Sequence, residues 1–78
     1  MNKFRRKEID EIIEKIEEVK DLVQSVYDEE EEYRDNIPEN MQSSERYETA
    51  DAAVSSLDDA LSSLDDAIDY LTSARDGE

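Results

Sequence analysis

From Tyr47 onward the apolar residues recur at alternating spacings of three and four, at Tyr47, Ala50, Val54, Leu57, Leu61, Leu64, Ile68 and Leu71. Inside that stretch a seven-residue unit repeats: Ser55-Ser56-Leu57-Asp58-Asp59-Ala60 is followed by Leu61, then by Ser62-Ser63-Leu64-Asp65-Asp66-Ala67. The pattern predicts a helix over about residues 44–75 whose apolar stripe is a coiled-coil seam. A seam of that kind needs another helix to bury it.

The first half of the chain supplies one. From about Lys3 to Asp35 the residues Ile9, Ile12, Ile16, Val19, Val23, Val26 and Tyr33 keep the same rhythm, and Ile13 and Leu22 widen the stripe beside it. A widened stripe contacts more than one neighbour. Opposite charges at helical spacing, Glu11 with Lys15 and Glu17 with Lys20, support this helix weakly. Its rhythm breaks at Glu30, within the acidic run Asp28 to Glu32. Five acids near a helix C-terminus oppose the macrodipole, which predicts a frayed or splayed end.

Residues 36–43 read as the connection. Pro38 disfavours helical geometry at Ile37 and lacks a backbone donor, while the neighbouring Asn and Ser residues suit turns and caps. Ser43 or Ser44 is the expected N-cap of the second helix, with Glu45 and Glu48 matching the dipole in its first turn. A loop of about eight residues joins antiparallel neighbours. Ile37 and Met41 are expected to plug that end of the pair. Residues 1–78 thus read as one all-α domain, an antiparallel two-helix hairpin of coiled-coil type.

The second helix has two unlike flanks. Ala53, Ala60, Ala67 and Ala74 recur on one side of the seam, and Asp51, Asp58 and Asp65 on the other. Small residues permit close approach by a further helix, whereas a column of aspartates marks the side a neighbour avoids. The alanine side is therefore the expected second interface, and pairing of two hairpins into a homodimeric four-helix bundle would cover the stripe edges. The residues expected to drive self-association are Ile9, Ile16, Val23, Val54, Leu57, Leu61, Leu64 and Ile68.

Composition agrees with a protein that needs partners. A chain of 78 residues is in the range where one core is marginal, and with no cysteine or histidine it has no disulfide or thiolate–imidazole zinc site to reinforce it. No membrane span or signal peptide is legible, so a soluble protein of the cytoplasm is expected. Acids outnumber bases 24 to 9, for a net charge of −15, and four of the nine bases lie within the first seven residues. A body of that sign repels phosphate, which argues against direct binding of nucleic acid.

Enzymatic chemistry finds little support. Histidine and cysteine are absent, the serines have no general base beside them, and two slender helices offer no cleft to separate carboxylate pKa values. Asp58, Asp59, Asp65, Asp66 and Asp69 cluster without the pattern of a calcium loop, so no metal or other cofactor is expected. The acids instead suggest a surface for a basic protein. The candidates are Glu29, Glu30, Glu31 and Glu32, together with Asp58, Asp59, Asp65 and Asp66. The two aspartate pairs stand one heptad apart, about 10.5 Å along a helix. Rigid carboxylates at such intervals can imitate nucleic-acid phosphates, and a solvated acidic face is the plainer alternative.

The segment Asn36-Ile37-Pro38-Glu39-Asn40-Met41-Gln42-Ser43-Ser44-Glu45-Arg46-Tyr47-Glu48, with the Ala- and Asp-rich heptads that follow, resembles small acidic proteins of phages and integrative elements of Firmicutes. The resemblance covers the C-terminal half. It implies a mobile-element origin and carries over no catalytic residues. By analogy with phage-borne inhibitors such as anti-CRISPR proteins, it raises the expectation of a DNA mimic that blocks a host nucleic-acid-binding or defence protein. The alternative is a self-assembling coiled-coil scaffold without mimicry.

Overall fold

The computed structural model describes residues 1–77. It consists of two long helices, α1 (Lys3–Asp35) and α2 (Glu45–Asp76), with a single 3-10 turn at Glu39–Met41 between them. The pair is a rod 59 × 16 × 12 Å. Both starts are capped by side chains: Asn2 accepts a hydrogen bond from the Arg5 backbone N–H at 2.8 Å, and Ser44 accepts one from the Tyr47 N–H at 3.3 Å. Each cap satisfies a donor that the first helical turn leaves without an intrahelical partner.

Three cross-helix ion pairs fix the register, Arg75 with Asp10, Lys20 with Asp65 and Arg34 with Asp51, and in each the two residue numbers add to 85. A constant sum means that the helices run antiparallel without a slip. By this register Ile13 lies within one residue of the level of Leu71, Val23 of Leu61, and Glu30 of Val54, so each pair shares a layer of the seam.

The seam of α2 is the one expected, with Ala50, Val54 and Leu61 buried and Tyr47, Leu57, Leu64, Ile68 and Leu71 half-buried. The seam of α1 is turned from the expected one. Ile9, Ile16 and Val23 line it, but Ile13, Lys20, Tyr27 and Arg34 hold the alternate positions, and Ile12, Val19, Val26 and Tyr33 are exposed. The cause lies in the polar groups. The Lys20 and Arg34 stems run along the seam while their charged heads reach Asp65 and Asp51 at its edge. Tyr27 places its ring in the seam and donates from Oη to Glu31 at 3.1 Å.

These contacts also correct the expected fraying of α1. The helix continues to Asp35, the Asn36 N–H donates to the Glu32 carbonyl at 3.0 Å, and the cation of Arg34 occupies the last turn. A base at that end opposes the unfavourable effect of the acids on the dipole. The hairpin end is closed by Ile37, which is 3% exposed, whereas Met41 lies in the 3-10 turn, 41% exposed, and is no part of the plug.

Lys20 interrupts an otherwise apolar row between Ile16 and Val23. Lys20 is partly withdrawn from water while its partner Asp65 is exposed, so removing the cation strands no buried charge, and an apolar side chain at this seam position adds buried apolar area. Lys20→Leu is accordingly expected to raise Tm by a few degrees, read by circular dichroism. A lowered Tm would show that the Lys20–Asp65 pair outweighs the packing gained.

Candidate interaction surfaces

The seam cations separate two unlike flanks. Arg75 donates from Nη1 to Asp10 at 2.7 Å, and Arg34 from Nη1 to Asp51 at 2.9 Å. Lys20 reaches Asp65, which stands two heptads after Asp51. Asp51, Asp58 and Asp65 therefore share one side of α2, and Asp10, Glu17 and Glu31 share one side of α1 at multiples of seven. The two columns meet on one flank, because the ion pairs that cross between the helices reach Asp10 of one column and Asp51 and Asp65 of the other. The expected aspartate column is thus placed, but α1 does not avoid it: the cations of the seam turn toward it.

This flank couples the fold to alkaline pH. The hydrogen bond and charge of Asp65 push the Lys20 ammonium above its ordinary value, and the hydrogen bond and charge of Glu31 do the same to the Tyr27 hydroxyl. A raised folded-state pKa favours the protonated form in the fold. The resulting stability is present below the unfolded values, near ~10 for Tyr and ~10.4 for Lys, and is lost as pH rises beyond them. Thermal melts should therefore move to lower temperature above about pH 10. Tyr27→Phe should flatten that fall, and equal slopes in both proteins would remove Tyr27 from its cause.

The candidate acidic residues are distributed unevenly. Asp58, Asp59, Asp65 and Asp66 are all exposed, with Asp58 and Asp65 on the flank and Asp59 and Asp66 turned about 100° outward. The run Glu29 to Glu32 does not form one patch. Glu30 is half-buried in the seam, Glu31 lies half-buried beside Tyr27, and Glu29 and Glu32 are exposed on other sides of α1. Only Glu31 among them joins the Asp58 neighbourhood. Asp51, of the aspartate column, and Asp10 and Glu17 of α1 complete the flank, and neither α1 acid lies in the consecutive run or the aspartate pairs. Their signal is the seven-residue spacing.

The opposite flank carries no acid along its inner columns. On α1 these are Ile12, Val19, Val26 and Tyr33, and on α2 they are Ala53, Ala60, Ala67 and Ala74. A contact between the helices places the columns side by side: Arg46, one heptad before Ala53, donates from Nε to Tyr33 Oη at 2.7 Å. Its guanidinium carbon stands 5.2 Å from the Tyr33 ring centroid, within cation–π range. The residues expected to drive self-association, from Ile9, Ile16 and Val23 to Val54, Leu57, Leu61, Leu64 and Ile68, line the seam within one chain.

Among the described residues no three acidic side chains converge as a metal site would require, no pocket opens, and no helix is long and apolar enough to cross a membrane. The class this geometry defines is an acidic antiparallel helical hairpin with one acid-lined and one acid-free flank. Comparisons of the chain with protein-family models, curated proteins and solved structures return no match.

Proposed function

We propose that this protein acts without catalysis, by binding a basic protein through its acidic flank. In this reading it is a product of a phage or mobile element, works in the cytoplasm of a bacterial host as a homodimeric bundle, and inhibits a nucleic-acid-binding or defence protein by imitating DNA. The observation that carries the reading is the alignment of carboxylates in heptad columns along a rigid rod. With Glu78 set aside, the 23 acids on all sides of the 59 Å rod follow one another roughly every 2.6 Å along its length, compared with one phosphate per ~1.7 Å of duplex axis. Side chains on helices hold such charges in fixed relation, which favours steering and complementarity toward a phosphate-binding groove.

The resemblance of the Asn36 to Glu48 turn to mobile-element proteins supports the proposed origin. The alternative is self-assembly without mimicry, favoured by the uncovered apolar flank. Affinity capture from a Firmicutes lysate separates them. Recovery of a nucleic-acid-binding protein that elutes with salt and is displaced by duplex DNA supports mimicry. Recovery of the bait alone favours the scaffold reading.

A further inference from the structure

The hairpin leaves bulky apolar side chains uncovered on the acid-free flank. Ile12, Val19 and Val26 are 44%, 46% and 51% exposed, and Leu22, in the next column outward, is 67% exposed. They follow one another at spacings of three, four and seven, so they form a second stripe about 100° from the seam. On α2 the corresponding outward column is Thr49, Ser56, Ser63 and Tyr70, and Tyr70 is 76% exposed. The alanine and serine columns of α2 therefore form a smooth, uncharged strip beside the bulky strip of α1. In a chain that is 42% charged, such a strip is not the ordinary solvated face.

We infer that a second copy of this chain covers the acid-free flank, with α1 of each copy lying on α2 of the other, the two related by a two-fold axis parallel to the helices. The inference deepens the dimer part of the reading above and is independent of the basic partner. Three features select a second copy. First, the flank is self-complementary: a two-fold of this orientation sets the bulky column of one copy on the alanine column of the other, as interdigitating layers require. With the register of the hairpin, Val19 comes within one residue of the level of Ala67 of the second copy, and Val26 of Ala60.

Second, charge leaves one approach. Two bodies of −15 each repel on every acid-bearing side, and the inner columns of this flank contain no Asp or Glu. The outer α1 column is mixed: Lys15 comes level with the exposed Tyr70 ring of the second copy, a cation–π pairing, and Leu22 with Ser63, while the acids Glu8 and Glu29 of that column lie toward its two ends. Third, the area suffices. The uncovered parts of Ile12, Val19, Leu22, Val26, Tyr33 and Tyr70 amount to on the order of 600 Å² before the alanines and serines are counted, against about 800 Å² per partner in a stable interface.

The alternative axis, perpendicular to the helices, would place α1 on α1 and bulky side chains on one another. Cysteine cross-linking distinguishes the two, because the chain has no cysteine of its own. Mixed Leu22→Cys and Ser63→Cys chains should form a disulfide-linked dimer on mild oxidation, at a yield well above that of Leu22→Cys alone. Sedimentation equilibrium of the full chain should give twice the 9.0 kDa chain mass. Val19→Glu with Val26→Glu should give one chain mass with helicity retained, since both positions are exposed in the hairpin. The inference is overturned by a monomeric wild type, by a dimer that survives the double substitution, or by preferential linkage of Leu22→Cys to itself. A monomer would leave capture of a basic protein by the acidic flank untouched.

Discussion

Leu61→Asp abolishes the hairpin: its far-ultraviolet helix signal should fall to a small fraction of the wild-type value at room temperature. Leu61 is 9% exposed, at the middle of the α2 seam, with Leu57 and Leu64 one turn away on either side. The substitution removes a buried leucine and places a carboxylate in the seam opposite the apolar Val23. It also adds a charge at helical spacing from Asp58 and Asp65, where like charges repel. The combined cost is on the order of 4 kcal/mol, similar to the ~3–5 kcal/mol that a single small core supplies. Ser62→Asp, one residue further and exposed, should leave the helix signal intact. A Leu61→Asp protein with wild-type dichroism and melting would contradict the seam.

Replacing Asp58, Asp59, Asp65 and Asp66 together by Asn has the opposite profile. All four are exposed, so no packing is lost, and Asn at position 65 still presents an oxygen to Lys20. Removing four like charges from a chain of net −15 also relieves self-repulsion, and Tm should stay level or rise slightly. Binding to a basic partner should suffer heavily. If each exposed carboxylate–cation pair contributes about 0.7 kcal/mol, four together amount to roughly a hundredfold in affinity at low salt. The salt dependence should weaken in parallel, since fewer charge contacts remain to screen. Titration of the captured protein with both chains, at two salt concentrations, measures both effects. Equal affinities would remove these aspartates from the binding surface.

The two helices were not equally legible. In α2 every seam position from Tyr47 to Leu71 is apolar, so spacing alone locates the buried face. In α1 two stripes share the same period: one holds Ile12, Val19 and Val26, and the other holds Ile13, Lys20 and Tyr27. Hydropathy selects the first, whereas the fold buries the second, because Lys20, Tyr27 and Arg34 can line a seam with their apolar parts and place their polar ends at its edge. A signal for this is present in the sequence. Lys20 and Arg34 stand two heptads apart, as do Asp51 and Asp65, and antiparallel pairing aligns both sets at once.

The loop shows a similar limit. Ile37 is buried beside the end of α1, but the 3-10 turn carries Met41 outward, a detail that residue type does not encode. Among the acids, consecutive positions attract attention in a linear reading. A helix turns 100° per residue, so the run Glu29 to Glu32 fans around α1, and the acids that share a flank are those seven apart. The α2 flanks were legible because alanine and aspartate each repeat at that interval. Their counterparts on α1 emerge only once the register is known.

On this proposal the two flanks do separate work, one meeting a second copy and the other a basic protein. Its most direct test is sedimentation velocity of three chains with and without the captured basic protein: wild type, Val19→Glu with Val26→Glu, and the four-asparagine variant. Wild type should be dimeric and bind, the valine variant should be monomeric and still bind, and the asparagine variant should be dimeric and fail to bind. Loss of assembly and binding together in both variants would contradict it, because a single surface would then serve both contacts.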